Sequence, residues 1–107
     1  MSYYLTQANY TTEALATLIK KPQDRSAVVR AAVEKLGGKL EGLWLAFGEY
    51  DIVALCQMPD NTSAAAIALA VAAGGGVRAI KTTPLLTFEE GREAMKKAAQ
   101  CGFRAPK

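Results

Sequence analysis

Apolar and polar positions change rhythm several times along this chain, and each change marks an element. Tyr3 to Tyr10 (YYLTQANY) is dense in aromatic residues and threonine, the composition of a strand. From Thr12, a good N-cap, Ala14, Leu15, Leu18 and Ile19 fall on one face of a helix. Pro22 interrupts that spacing, because its ring cannot continue a helix. Asp24 or Ser26 can start a second helical piece. In it Val28, Val29, Ala32, Val33 and Leu36 recur at helical spacing until Gly37-Gly38 ends it. Lys39 to Phe47 (KLEGLWLAF) and Asp51 to Met58 (DIVALCQM) read as strands. With only Gly48, Glu49 and Tyr50 between them, they should pair as a hairpin. Pro59-Asp60-Asn61-Thr62 closes the second arm and caps the next helix, SAAAIALAVAA, which stops at Gly74-Gly75-Gly76. Val77 to Leu86 (VRAIKTTPLL) is a fourth strand. Pro84 has no N–H for a ladder, so this strand belongs at a sheet edge or is irregular there. Thr87 and Glu90 stand at capping-box spacing before a last helix of about three turns.

The predicted order is β-α-β-β-α-β plus a C-terminal helix. It is an α+β, ferredoxin-like arrangement with a four-stranded antiparallel sheet. A sheet with helices on one side and water on the other should alternate apolar and polar residues. The hairpin does not. Leu43, Leu45 and Phe47 point one way and Trp44 and Ala46 the other; Val53 and Leu55 oppose Ile52, Ala54 and Cys56. Helices can cover one apolar face only. A second copy of the chain is the simplest cover for the other, since most soluble oligomers are symmetric homo-oligomers. The alternative cover is the C-terminal helix of the same chain.

At 107 residues the chain suits one domain, spanning 1–107, with one core. Half its residues are hydrophobic and 21% charged, a globular balance. No apolar run reaches the roughly 18 residues of a membrane span. The N-terminal MSYYLTQANY lacks the basic-then-apolar order of a secretory signal, so a cytoplasmic location and no membrane partner are expected. Two cysteines, Cys56 and Cys101, are too few for a disulfide framework or a zinc site, and there is no histidine. No metal and no cofactor are therefore expected. A net charge of +3 permits an anionic ligand without arguing for nucleic acid. The third strand carries no aromatic on which bases could stack. Gly74-Gly75-Gly76 runs from helix to strand, the reverse of a phosphate-binding loop.

Several segments in order resemble one family: YLTQANYT, the Lys-x-Pro-x-x-Arg stretch KKPQDR, VEKLGGKLEGLWLAFGEYD, ALAVAAGG and KTTPLLTFEEG. Together they are similar to the GYD-domain proteins, over about Tyr3 to Ala99. The family's Gly, Tyr and Asp fall at Gly48, Tyr50 and Asp51, with Glu49 interposed. The resemblance implies a ferredoxin-like fold of the dimeric α/β barrel kind, with the sheets of two copies facing each other. It does not imply one activity. The wider superfamily includes cofactor-free monooxygenases, small isomerases, haem-binding enzymes and plain binding modules. Haem held by histidine is impossible in a chain without one.

The corner FGEYDIVALC admits two readings. In the structural one, Gly48 takes a positive φ, Asp51 or Glu49 accepts backbone N–H groups, and the Tyr50 hydroxyl lies in water. In the functional one, Asp51 is a general base or ligand acceptor and Tyr50 a proton donor or oxyanion stabiliser. Gln7 and Asn9 project to one face of a central strand and, with Tyr10, either line a small polar cavity or bond to neighbouring loops. Trp44 suits core or dimer interface, or a stacking platform for a ligand. Arg25 can hold an anion such as a carboxylate near the second helical piece, or simply be solvated with Lys20 and Lys21. Lys81 is the other cation that can point inward, where it would need Asp51 as partner. The expectation is a homo-oligomer holding a small apolar or aromatic molecule in an aliphatic pocket. Any catalysis would be cofactor-free proton transfer, isomerisation or oxygenation. The alternative is a non-catalytic interaction or regulatory module whose apolar faces serve assembly alone.

Overall fold

The computed structural model describes residues 1–106. The elements are β1 (Ser2–Tyr10), α1 (Thr12–Lys20), α2 (Ser26–Lys35), β2 (Lys39–Leu45), β3 (Ile52–Met58), α3 (Asn61–Ala73), β4 (Val77–Leu85) and α4 (Phe88–Gln100). Four strands form one sheet in the order β2-β3-β1-β4, with every neighbouring pair antiparallel. This is the expected ferredoxin-like topology, and it makes β4, with Pro84, an edge strand.

Local chemistry sets the helix boundaries. Thr11, not Thr12, caps α1: its backbone is still extended, and its hydroxyl accepts from the Ala14 N–H at 3.1 Å. Thr12 already has helical geometry, so its hydroxyl cannot reach back over the first turn. Asp60 caps α3 by accepting from the Ser63 N–H at 2.8 Å. That bond from the Ser63 backbone holds the Asp60 carboxyl below its ordinary value. Thr87 and Glu90 form the complete capping box at the start of α4. Gly37, with φ at +82°, supplies the left-handed residue that ends α2.

The core lies between the sheet and α2–α3. Tyr4, Val33, Leu40, Ala54, Cys56, Met58 and Ala64 form one buried cluster. Met58 and Val33 are 1% exposed, and each such burial stabilises by about 1.5–3 kcal/mol. Leu43 pairs with Ala54 and Leu45 with Ile52, on the helix-covered face. Trp44 pairs with Val53 on the opposite face, which no helix of the chain covers. On that face the Trp44 ring lies over Gly42, where an added Cβ would come within 2.3 Å of it. Leu5, Gln7 and Asn9 of β1 and Leu55 of β3 share this open face by register.

The C-terminal helix does not cover the open face. α4 has no buried residue and no extended packing against another element. The chain accordingly has a radius of gyration of 17.1 Å and a long axis of 57 Å. A compact chain of this length would have a radius near 13 Å.

Candidate functional site

The hairpin corner is held by backbone bonds. The Ala46 N–H donates to the Asp51 carbonyl at 2.7 Å and closes the loop over Phe47, Gly48, Glu49 and Tyr50. The Asp51 N–H donates to the Ala8 carbonyl at 2.9 Å, and the Asp51 carboxylate Oδ2 accepts from the Tyr10 N–H at 3.0 Å. Asp51 thus extends the β1–β3 ladder by one rung, at the level where β4 bulges at Arg78 opposite Asn9 and Tyr10. Its side chain does what the structural reading expects of it. Gly48 does not: its φ is not positive, the positive-φ glycines being Gly37, Gly75 and Gly102. The longer loop, closed outside the tight-turn register, needs no left-handed residue there. Gly48 and Glu49 are exposed at the tip, and Tyr50 is half-buried beside them.

Next to this corner, on the helix side of the sheet, lies an open groove of about 540 Å³. Its walls are Leu15, Leu18 and Ile19 of α1 and Leu43, Leu45 and Ile52 of the hairpin arms. Tyr10, Gln23, Asp24, Arg25 and Ser26 form the polar part of its lining. The sheet edge also brings Trp44 to it. The α1–α2 connection carries the charges because Pro22 stops α1 there and leaves residues 21–25 as a rim. Asp24 caps the approach to α2, accepting from the Ser26 N–H at 2.8 Å. Hydrogen bonds from the Ser26 side chain and backbone hold its carboxyl below the ordinary value. Of the rim charges, Asp24 and Arg25 line the groove itself, over an aliphatic floor, with Lys21 outside it. Such a site accepts an apolar body and orients it with a few polar groups.

The fold divides the sequence candidates among three places. Tyr10, Arg25 and Trp44 meet at the groove, Trp44 from the sheet edge. Gly48, Glu49 and Tyr50 form the hairpin tip, with Asp51 one residue beyond the groove wall at Ile52. Gln7, Asn9 and Lys81 lie on the open face, where Gln7 stands between Val53 and Lys81. Asn9 is 7% exposed, and no side-chain nitrogen or oxygen closed off from solvent among the described residues lacks a partner. Lys81 is exposed and stands opposite Gln7, so it is not the buried partner of Asp51. The edge strand leaves its ammonium group in reach of water, which removes the need for a countercharge.

The sequence model of one family, the GYD domain, matches residues 4–95. The chain belongs to the GYD domain family. Among solved structures, this GYD domain is similar to TTHA0845 from Thermus thermophilus. The identity is 16%, the TM-score 0.54, and the match covers 81% of this chain and 95% of that one. It is also similar to FFRP-DM1, at 11% identity and TM-score 0.51, over 80% of this chain and all of that one. At these identities the likeness is one of fold. No curated protein matches the chain.

The groove residues of this GYD domain that sequence reasoning passed over are Leu15, Ile19 and Leu45. They look like core positions by periodicity, yet are 42%, 71% and 78% exposed. The available signal is the pair of short helices before β2. A crossover broken at Pro22 cannot lie flat on the whole sheet face.

Proposed function

We propose that this GYD domain is a homo-oligomeric protein of the cytoplasm that binds a small apolar or aromatic organic molecule in the groove between α1 and the β2–β3 hairpin. The observation that carries the reading is the aliphatic floor itself. A groove of about 540 Å³ lies within the usual range of small-molecule sites, roughly 300–1,000 Å³. Three large aliphatic residues, Leu15, Ile19 and Leu45, remain exposed in its wall. The Tyr10 phenol and the Arg25 guanidinium would fix the orientation of the ligand, with Arg25 favouring a carboxylate or enolate group. Two free cysteines suit a reducing compartment.

A catalytic role would be cofactor-free proton transfer or oxygenation by Tyr50 and Asp51, which precede Ile52 of the groove wall in the hairpin. The bond from the Tyr10 N–H already occupies one Asp51 carboxylate oxygen, which favours binding over general-base work. The open sheet face supports the homo-oligomer. Trp44 is 55% exposed there beside Leu5, Val53 and Leu55, an apolar surface that a second copy would cover. The same surface is what a pure assembly module would need.

Native mass spectrometry of freshly purified protein, set against its denatured mass, separates the readings. An oligomer carrying a small adduct that is lost on denaturation, and lost as well in an Ile19→Asp, Leu45→Asp variant, supports the groove. An adduct that persists in that variant places the ligand elsewhere. An oligomer that also fails to bind apolar fluorescent probes favours assembly alone.

A further inference from the structure

Two surfaces outside the groove and the open face lack partners, and they complement each other. The first is the apolar stripe of α4. Phe88 and Met95, seven residues apart, lie on one side of the helix, Phe103 follows just past its end, and the three are 99%, 74% and 72% exposed. Glu89, Glu93, Lys96 and Lys97 occupy the rest of the helix surface, with ion pairs Lys96–Glu93 at 3.6 Å and Arg92–Glu89 at 3.7 Å, Arg92 bordering the apolar stripe. An isolated helix of 13 residues is marginal in water, and its stability comes from packing an apolar face. Here the chain offers no such packing.

The second surface is a groove of about 410 Å³ between α3 and the edge strand β4. α3 has no charged residue, although helices apolar all round belong in an interior. Its outward side nonetheless faces solvent, with Leu69 70% exposed. Between Asn61 and Leu69 the α3 wall of the groove is small, Ala64, Ala65 and Ala68, which leaves room for large residues from another helix. Pro84 lines the groove too, and α4 leaves the chain four residues later.

α4 makes no extended packing on its own chain, so the groove beside its exit point stays unfilled by it. Only Leu86 and Thr87 join it to β4, and Thr87 is locked in the capping box. Short connections of this kind favour exchange of an element between copies. Because exit point and groove adjoin, a two-fold axis near the end of β4 makes the exchange reciprocal.

We propose that α4 is an exchanged arm, and that Phe88 and Met95 of one copy, with Phe103 after them, lie in the α3–β4 groove of a second copy. The exposed parts of Phe88, Met95, Phe103, Leu69 and Leu86 come to about 700 Å² per copy at roughly 170–200 Å² per large side chain. A standard interface takes about 800 Å² from each partner. The exchange rests on the homo-oligomer reading above, but not on the ligand groove.

The test is isotope-filtered NOE spectroscopy on dimers mixed from ¹³C-labelled and unlabelled chains, with sedimentation at the same concentration. Contacts between chains from the Met95 methyl or Phe88 ring to the Ala65, Ala68 and Leu69 methyls are expected. A Met95→Asp variant, which disturbs no packing within its own chain, should raise the dimer dissociation constant about 30-fold or more. A dimer in which these contacts are absent, or occur only within one chain, overturns the exchange and leaves the open-face dimer standing. A monomer at micromolar concentration overturns both.

Discussion

Replacing Asp51 tests whether the hairpin corner is architecture or chemistry. In Asp51→Ala the Tyr10 N–H loses the carboxylate that accepts it at 3.0 Å, at the point where the β1–β4 register shifts past Arg78. A hydrogen bond to a charged acceptor contributes about 1.5–3 kcal/mol. Asp51 is half-buried, so water takes over part of that bond and the net loss should be about 1–2 kcal/mol. The Asp51 main-chain bonds to Ala8 and Ala46 do not depend on the side chain and remain. Asp51→Asn keeps one acceptor oxygen without the charge and should lose about half as much. For a domain near this size 1 kcal/mol moves the melting temperature by about 4–8 °C, so Asp51→Ala should melt about 5–10 °C lower. Urea unfolding followed by circular dichroism should show a lower midpoint with an unchanged slope. The protein concentration must be held constant, because self-association couples to stability. An unchanged midpoint for Asp51→Ala refutes the structural account of the corner. Lost ligand binding with intact stability would make Asp51 a working group instead.

Other expectations follow from glycine packing, from the caps and from the two thiols. At Gly38 a Cβ would lie 2.4 Å from the Met58 sulfur and 2.6 Å from the Gln57 carbonyl oxygen, whereas at Gly48 it would meet nothing within 4 Å. Gly38→Ala should therefore destabilise by about 1–3 kcal/mol, and Gly48→Ala should stay within about 0.5 kcal/mol of the parent in the same urea assay. Equal midpoints for the two would count against the packing at the start of β2. The Asp60 carboxyl is held below its ordinary value by the Ser63 N–H, so folding favours its charged form. Its stabilisation is present above about pH 4 and fades as pH falls through the lowered folded value. Asp60→Asn should flatten that part of the acid limb of urea midpoints, and an identical limb would refute the cap's role. Burial raises the Cys56 thiol above its ordinary value while Cys101 is exposed. A thiol reagent should label Cys101 at once and Cys56 only as the protein unfolds. Rapid labelling of both thiols would mean that the core cluster opens in the native state.

Most of the fold was legible because its signals are local. The eight elements follow from period, caps and breakers, and errors at their ends, such as Thr12 for Thr11 or Phe47 for Leu45, are of one or two residues. The apolar character of both hairpin faces was legible as well, since alternation in a strand assigns each side chain to a face. The groove was not. Leu15 and Ile19 carry the same helical spacing as Val29 and Val33, yet Val33 is buried and Ile19 stands in solvent. Periodicity says which side of a helix is apolar, not whether the sheet beneath extends far enough to cover it. The role of Asp51 was half legible. Its residue type suits a turn, but its partner, the Tyr10 N–H, is 41 positions away and is brought there by sheet register.

The sequence by itself determined the family, the order of strands and helices and the capping box before α4. Each rests on chemistry within a few residues of chain, or on several motifs in order. Only the tertiary structure decided that Lys81 faces water opposite Gln7, that the candidates part among groove, tip and open face, and that α4 stands free. Those outcomes depend on strand register, on where a two-residue connection aims a helix, and on how much sheet two short helices can cover. All three are set by contacts between residues far apart in the chain.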